Sequence, residues 1–563
     1  APAEKSSIWD TLVSIWKAGL LTKPTTHLRN IGGTGLFQLS EQAARIPASI
    51  ADIVRAASTG RRTVAGPNLA SLFRGEAAKK GITDAIQVLR KGLTAEQAAK
   101  TQAVRQLASG NKVIDAYVNG TFRLLGAEDQ FVRSMALRSA LEERAKVQVL
   151  NEIRQGVTSA GDRAVRISQL IKNPDNALAA QAAADAEIAV FTNDNMISTA
   201  LGKARQSLAE AGKGGRIAKA GLDVVLPFDK TPTNIIARMI DYSPVGLTRG
   251  TLGIARGIAG KAFTPAEERA FAQLFGRGAI GTGLIALGWK LGEAGLMTGM
   301  FEDEPGKSAR DVAAGRPSGA LRIGNSWHQV TGFAPVGNLM ALGASLNREF
   351  EQSREPEGKQ LPEAIGGVLQ KTAMEQPLLQ AAQSLTQPGN ITERAGRLAA
   401  SVVPGAVADI AGLVDTERRQ TKGEGFLGQI ESRIPGVSRM LPPAVDALGR
   451  PLEDRFSRFI DPTLTSTAKE LREPLIQELI RLDVGLPKMQ RKPEESADAY
   501  LTRVRRFGEL YQDYGLQLLG NDRFQSLADP VKVKAFDALS RHAEAQVSEE
   551  FETRRKGPAK SPN

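Results

Sequence analysis

The chain has no cysteine among its 563 residues. This excludes disulfides, thiolate zinc ligands and thiol nucleophiles. Histidine is almost as scarce, and His27, His328 and His542 lie far apart in the sequence, which argues against a histidine-based metal site. We therefore predict neither a bound metal nor a cofactor.

Aromatic residues are also few, at 5%, whereas hydrophobic residues make up 42% and glycine alone contributes 56 positions. Small residues in such numbers favour helices that pack closely over a thick aromatic core. The length allows two to four domains. We predict an elongated, mainly α protein with one short β-hairpin and extended arms rich in glycine and proline.

Acidic residues are outnumbered by basic ones, so that the net charge is +12. The first 110 residues hold 15 Lys or Arg and 7 Asp or Glu, which gives +8. A bias of this size indicates a polyanionic partner such as DNA or anionic lipid, or simply a solvated basic face. Both interpretations stay open from composition alone.

Changes in composition divide the chain into four predicted regions. They are a basic N-terminal helical region (1–215), a central region (216–350), helices with an extended linker arm (351–463), and a C-terminal helical module (464–563). Within the last, Thr467 and Glu470 have the spacing of a capping box at the start of a helix.

The first helix carries Trp9 and Trp16 one heptad apart, with Lys17 beside them. This pattern suits an anchor at a bilayer interface, and it suits a helix that faces a protein core equally well. A second helix is predicted from residue 34 to 57, with Pro47 kinking or splitting it. The longest continuous helical pattern runs from residue 113 to 156.

Residues 278–301 form a glycine-rich segment of 24 residues. This length would cross a hydrocarbon core of ~30 Å, but Lys290 and Glu293 interrupt the apolar run after Trp289. Either the segment inserts into a membrane, or it forms a buried hairpin of two short helices. The candidate packing positions, where small residues let helix backbones approach closely, are Gly281, Gly283, Gly288, Trp289, Gly292, Gly295 and Gly299.

The clearest β signal lies at residues 321–330. Two short runs that end in Ile323 and begin at Trp327 flank Gly324 and Asn325, which are residues typical of a tight turn.

Motifs of catalysis are missing from the sequence. It has no GxSxG, no HExxH and no complete phosphate-binding loop, because the glycine needed before Gly306-Lys307-Ser308 is Phe301. We predict a protein that is not an enzyme. A peptidoglycan-cleaving glutamate would need no motif, so that activity stays open without support.

Several segments together carry a resemblance. They are PFDKTPTNIIARMIDYSPVGL (227–247), the glycine-rich segment, the hairpin region 319–343, and the stretches 16–34, 122–145 and 434–452. In combination, this order of motifs resembles the large polyvalent protein-associated regions of big phage virion proteins.

The resemblance implies an internal virion protein of a short-tailed phage, an ejection protein that leaves the capsid with the genome. Its expected partners are further copies in a ring or tube, other ejection proteins, the portal, DNA that passes with weak contacts, and the host inner membrane. Its expected location is the virion interior and then the host cell envelope. Two alternatives remain: a capsid or portal-associated protein that is not ejected, and one segment of a larger polyvalent protein with enzymatic parts elsewhere.

Overall fold

The structure is a computed structural model. It describes residues 8–71, 75–94, 97, 107–212, 215, 219, 230–300, 304–352, 415, 417–420, 428, 430–452, 460–487, 489–492 and 495–556. These residues form a mainly helical protein with one small antiparallel sheet, which confirms the predicted fold class. They divide into two compact units: residues 1–294 with 330–388, and residues 295–329 with 389–563.

The first unit contains eleven of the described helices. They are α1 (Ile8–Leu21), α2 (Pro24–Thr59), α3 (Gly75–Lys91), α4 (Lys112–Arg154), α5 (Arg163–Lys172), α6 (Asn176–Ala189), α7 (Met196–Glu210), α8 (Lys230–Asp241), α9 (Pro244–Ile258), α10 (Pro265–Glu293) and α12 (Val336–Gln352). In α12, residues 341–347 are buried without interruption, so this helix forms the centre of the unit.

The second unit holds the sheet and the remaining helices. They are α11 (Pro305–Ala314), β1 (Ala320–Ile323), β2 (Ser326–Gln329), β3 (Ser466–Thr467), α13 (Pro474–Arg481), α14 (Ala497–Leu519), α15 (Asp522–Gln525) and α16 (Asp529–Lys556), with short 3-10 turns at Val437–Met440 and Lys469–Leu471. In the first unit there is one further 3-10 turn, Leu69–Ser71.

The predicted hairpin is present. Strands β1 and β2 pair antiparallel in a register that sets Ala320 opposite Gln329 and Ile323 opposite Ser326. The third strand, β3, was not predicted, and the capping box expected at Thr467 is wrong, because the helix that follows, α13, begins only at Pro474. That threonine pairs with Ser326, and the buried Glu470 accepts a 2.7 Å hydrogen bond from the indole of Trp327, so both residues serve the sheet.

Helix α4 agrees with the predicted helix over 113–156, and Asn111 caps it by accepting from the backbone amides of Val113 and Ile114. Helix α2 begins ten residues before the predicted start. It also continues through Pro47, so the proline does not split the helix.

The segment 278–301 is not one helix, nor is it a hairpin of two short helices. Its first part is the C-terminal portion of α10, which starts at Pro265 and ends at Glu293. Gly295 then takes a φ of +65°, a conformation that stops the helix at little cost only for glycine. Met297 beyond it pairs with Leu321 of the sheet. The predicted region 216–350 accordingly contributes to both units.

Part of the predicted extended arm is packed. Leu448 belongs to the hydrophobic core of the second unit with Phe507 and Tyr511, and Asp446 is buried beside it. Residues 353–414, where further helices were predicted, lie outside the described residues.

Candidate membrane-contacting surface

Helix α10 begins at a well-formed cap. Thr264 and Glu267 exchange side-chain and backbone hydrogen bonds in a capping box, and Pro265 occupies the first helical position. The helix has a mean hydropathy of 1.3 over 18 residues, and 28% of that window is buried. Among the described residues it alone has the length and composition of a membrane span, a test that core helices of soluble proteins also pass.

The charges of α10 point inward. Glu268, Arg269 and Arg277 are all buried, and between Glu267 and Lys290 the helix exposes no charged side chain. This stretch covers 22 residues, or ~33 Å at 1.5 Å per residue. An outward side without charge over that length can contact the acyl chains of a bilayer.

Each inward charge of α10 has a partner on another helix of the first unit. Arg269 holds Glu143 of α4 through two hydrogen bonds of 2.6 and 3.0 Å. Arg277 likewise donates two hydrogen bonds, of 2.8 and 2.9 Å, to the carboxylate of Glu41 on α2. Planar guanidinium groups suit such bidentate pairs, which are the strong ones among buried ion pairs.

The pKa values of the two glutamates follow from these partners. Burial works to raise the pKa of Glu143, but the positive charges of Arg269 and Arg45, together with hydrogen bonds from Arg269 and the Ala65 amide, outweigh burial and lower the pKa to about 2. Burial opposes Arg277 at Glu41 as well, and the pKa of Glu41 still falls below its ordinary value. Both carboxylates are therefore ionised at neutral pH, and each remains neutralised by its arginine.

The polar side of α2 is buried. Asp52 accepts hydrogen bonds from Arg55 at 2.6 Å, from Arg62 at 2.6 Å and from the Thr63 hydroxyl at 2.7 Å. Arg55 also pairs with Glu268 of α10 at 2.5 Å. Since Arg55 meets Glu268 and Glu41 meets Arg277, the two helices run antiparallel.

The apolar side of α2 is exposed. Eight large hydrophobic residues lie between 40% and 58% exposed, and at 100° per residue they fall within an arc of about 140°. No charged residue of α2, a helix described over its whole length, is exposed. We call these eight residues the outer face of α2: Leu28, Ile31, Leu36, Leu39, Ile46, Ile50, Ile53 and Val54. A surface helix of a soluble protein has the opposite arrangement.

Three of the predicted packing glycines hold α10 against its neighbours. A methyl group at Gly281 would overlap the carbonyl of Tyr242, and one at Gly288 would overlap the carbonyl of Met340 on α12. At Gly292 it would lie 3.1 Å from the Cα atom of Ala344, also on α12. These three positions lie where backbones come close.

The other predicted positions have different surroundings. Gly283 is exposed, with nothing within 4 Å of an added methyl group, and Gly295 ends the helix. Gly299 is buried in the second unit, where its carbonyl accepts a 2.8 Å hydrogen bond from Gly319. Trp289 contacts Phe350 of α12, with 5.3 Å between ring centroids.

Helix α9 adds a set of glycines that sequence analysis missed. Gly246, Gly250, Gly253 and Gly257 are all buried, and methyl groups at Gly250 and Gly253 would overlap Phe275 and Phe271 of α10. Their spacings of three and four residues form one helical face, a signal that was present in the sequence.

The proposed anchor residues of α1 do not form an exposed group. Trp16 is buried, at 5% exposure, and Lys17 is half-buried, while the side chain of Trp9 lies outside the described residues. Ala18 and Leu21 pack with Phe122 of α4. Trp16 therefore faces the protein core, as the second of the two sequence interpretations of α1 predicted.

A small polar cavity of about 40 Å³ lies between α2, α4, α6 and α10. Glu41, Arg45, Asp185, Arg269 and Arg277 contribute its charged lining. The volume is enough for at least one water molecule and far below that of a ligand pocket. The cavity therefore belongs to the ion-pair network and gives no sign of a substrate.

Two acids with partly buried side chains, Glu128 and Asp129, lie in the middle of α4. Burial raises the pKa of Asp129 to about 7, and the neighbouring charge of Glu128 adds to this effect. Glu128 itself lies 2.6 Å from the Nδ1 atom of His27 on α2.

Within the described ranges, no group of three or more His, Asp or Glu side chains is arranged to bind a metal ion. No family model, curated protein or solved structure matches this chain.

Proposed function

We propose that this chain is an internal virion protein of a short-tailed phage that leaves the capsid with the genome and joins an oligomeric DNA conduit at the host inner membrane. The order of the sequence motifs suggests the phage context. The observation that carries the membrane part is the arrangement of α10, whose charges are neutralised inside the unit while its outward side is uncharged over ~33 Å.

Helices α4 and α6 of the same unit carry charged side chains that pair with each other. Arg144 and Asp185 pair at 2.8 Å with about one-fifth of each side chain exposed, and Arg133 and Glu187 pair at 3.3 Å with about one quarter exposed. A subunit of a conduit needs one surface for lipid and one for water. Surface pairs of balanced charge would contact passing DNA weakly, whereas a strongly basic wall would retain it.

Quantitative mass spectrometry of purified virions and of particles emptied of DNA tests this function. We expect the protein in full particles and its loss from emptied ones. Retention in the empty shell would favour the capsid or portal alternative, and absence from both would refute the phage assignment.

Deleting residues 278–301 would not be a clean test, because it removes Gly281 and Gly288 from the core. The better variant is Leu287→Lys, since Leu287 is 47% exposed on α10. We expect that phage with this change assemble normally and deliver their genome poorly. Normal infection would argue against a membrane role for α10.

A further inference from the structure

The outer face of α2 was not among the membrane candidates of the sequence, and it is the most extensive exposed apolar feature of any described helix. It runs from Leu28 to Val54, ~39 Å along the axis. Phe333 packs against Gly32 within this face, while the eight hydrophobic residues themselves stay exposed. Monomeric soluble proteins rarely expose so many large apolar side chains on one helix, and such surfaces mark a partner or a membrane.

We infer that the outer face of α2 rests on the acyl chains of an anionic bilayer, with the helix lying in the plane of the membrane. The inference deepens the proposed function and rests on it for the identity of the membrane. Lipid contact itself can be tested without the phage.

Two observations favour lipid as the occupant of the outer face of α2: the helix exposes no charged side chain, and basic side chains lie near its C-terminal end. A protein partner would ordinarily meet some polar or charged groups at the rim of its interface. Here the whole helix exposes no charge, and its polar side chains, such as Asp52 and Arg55, have their partners inside the unit.

Basic groups lie where phosphate headgroups would be. Near the C-terminal end of α2, Arg61 is 40% exposed; it pairs with Glu268 at 2.8 Å, a carboxylate that it shares with Arg55, and donates a hydrogen bond to the carbonyl of Phe263. Arg256 and Lys261 are exposed on the adjoining end of α9 and the loop after it. Cations beside an apolar face are the signature of helices that bind anionic membrane surfaces.

The in-plane orientation follows from the exposed fraction and from the neighbours of α2. Residues that are about half exposed can be immersed by 5–10 Å while the rest of the helix stays in protein. If α2 crossed the bilayer, the antiparallel helices α9 and α10 would have to cross it too, because they are packed together: Gly250 of α9 contacts Phe275 in the middle of α10. It would then place the exposed Arg249 at the depth of the acyl chains, which is costly.

Single cysteines provide the first test, since the chain has none to remove. Full-length variants Leu28→Cys, Leu39→Cys and Ile53→Cys would each carry an environment-sensitive fluorophore. The control is Leu516→Cys on α14, which is 51% exposed in the second unit. The probes would meet phosphatidylethanolamine–phosphatidylglycerol vesicles whose lipids bear a quencher either near the headgroup or near the bilayer centre.

We expect all three α2 labels to shift to the blue and to be quenched equally, more strongly by the shallow quencher, with no change at the control. Strongest quenching of position 39 by the deep quencher would show a helix that crosses the bilayer and would overturn the in-plane orientation. No quenching at any of the three positions would overturn lipid contact. Labels that are already shielded without vesicles, and become accessible on dilution, would assign the face to a second copy instead.

Charge substitutions give an independent readout. Ile50→Lys and Ile53→Lys should each weaken cosedimentation with the anionic vesicles by about tenfold or more, because each removes a large apolar side chain from the lipid. The matched variant Leu516→Lys should bind as the parent does, and circular dichroism should show equal helix content in all three. Equal binding of all variants would refute the inference.

Failure of this inference and failure of the proposed function give different results. If labels on α10 at Leu287→Cys report lipid while those on α2 do not, only the role of α2 is lost. If α2 binds lipid but the protein stays in emptied particles, the surface is real and the ejection function is not.

Discussion

The buried pair of Arg269 and Glu143 allows a quantitative prediction. Replacing Arg269 with methionine keeps most of the side-chain volume but leaves the Glu143 carboxylate without its main counter-charge. Breaking a buried pair on one side costs 3–5 kcal/mol. The pKa of Glu143 agrees in direction, because burial alone would raise it, whereas the cationic neighbours and hydrogen bonds hold it at about 2.

Hydrogen exchange measured by mass spectrometry reports the two units separately. In Arg269→Met we expect the free energy of opening for peptides of α4 and α10 to fall by about 3 kcal/mol, with α14 and α16 unchanged. Lys290→Met is the control, since Lys290 is 74% exposed in its pair with Glu293 and should change stability by less than about 0.5 kcal/mol. The double variant Arg269→Met/Glu143→Leu should recover much of the loss.

The same pair predicts a pH dependence. Because the pKa of Glu143 is lowered in the folded state, its contribution is present above pH 4.5 and is lost as the pH falls towards 2. Urea unfolding followed by circular dichroism should show a shallower acid-side slope in Arg269→Met than in the parent. A loss below about 1 kcal/mol with an unchanged slope would refute the view that this network stabilises the first unit.

Three further predictions concern packing and titration. Gly281→Ala should destabilise the first unit by about 1–3 kcal/mol through overlap with a backbone carbonyl, whereas Gly283→Ala, with open space around it, should stabilise it by up to about 1 kcal/mol; urea unfolding compares the two. The pKa of Asp129 is raised to about 7 in the folded protein, so the stabilisation by its protonated form is complete below pH 3.8 and is lost as the pH rises through 7. At pH 8, Asp129→Asn should therefore be more stable than the parent by roughly 1–2 kcal/mol, which thermal unfolding would show as a higher melting temperature. Leu448→Ala should cost the second unit about 2–5 kcal/mol by hydrogen exchange, and Met440→Ala, which is 82% exposed in the parent, should leave it unchanged.

Local patterns predicted the helical elements well where several signals agreed. The helix over 113–156 combines periodicity with an asparagine cap, and the turn residues Gly324 and Asn325 define the hairpin. Local patterns did not predict β3, because Ser466 and Thr467 enter the sheet only through pairing with a strand far away in the sequence. Pro47 was expected to kink or split α2, and the helix continues through it without a split.

The candidate surface shows a different limit of sequence reasoning. A stripe of isoleucines and leucines has the same period whether it faces a core or the outside, so periodicity alone could not tell which side of α2 is exposed. The structure identifies the outward side of α2, because the ion pairs Arg55–Glu268 and Glu41–Arg277 place the opposite side of the helix against α10. For α10, hydropathy identified the apolar part and placed its end too late, because the backbone conformation of Gly295 is decided locally.

The paired charges between α2 and α10 have a consequence for how the first unit meets its surroundings. An arginine that carries its own carboxylate needs neither water nor dissolved ions to neutralise it. The interior of this helix pair therefore has the same electrostatic balance in a packed capsid, in dilute buffer or against lipid. Only the outermost layer of side chains senses the medium, so the protein can change its solvent without changing its contacts.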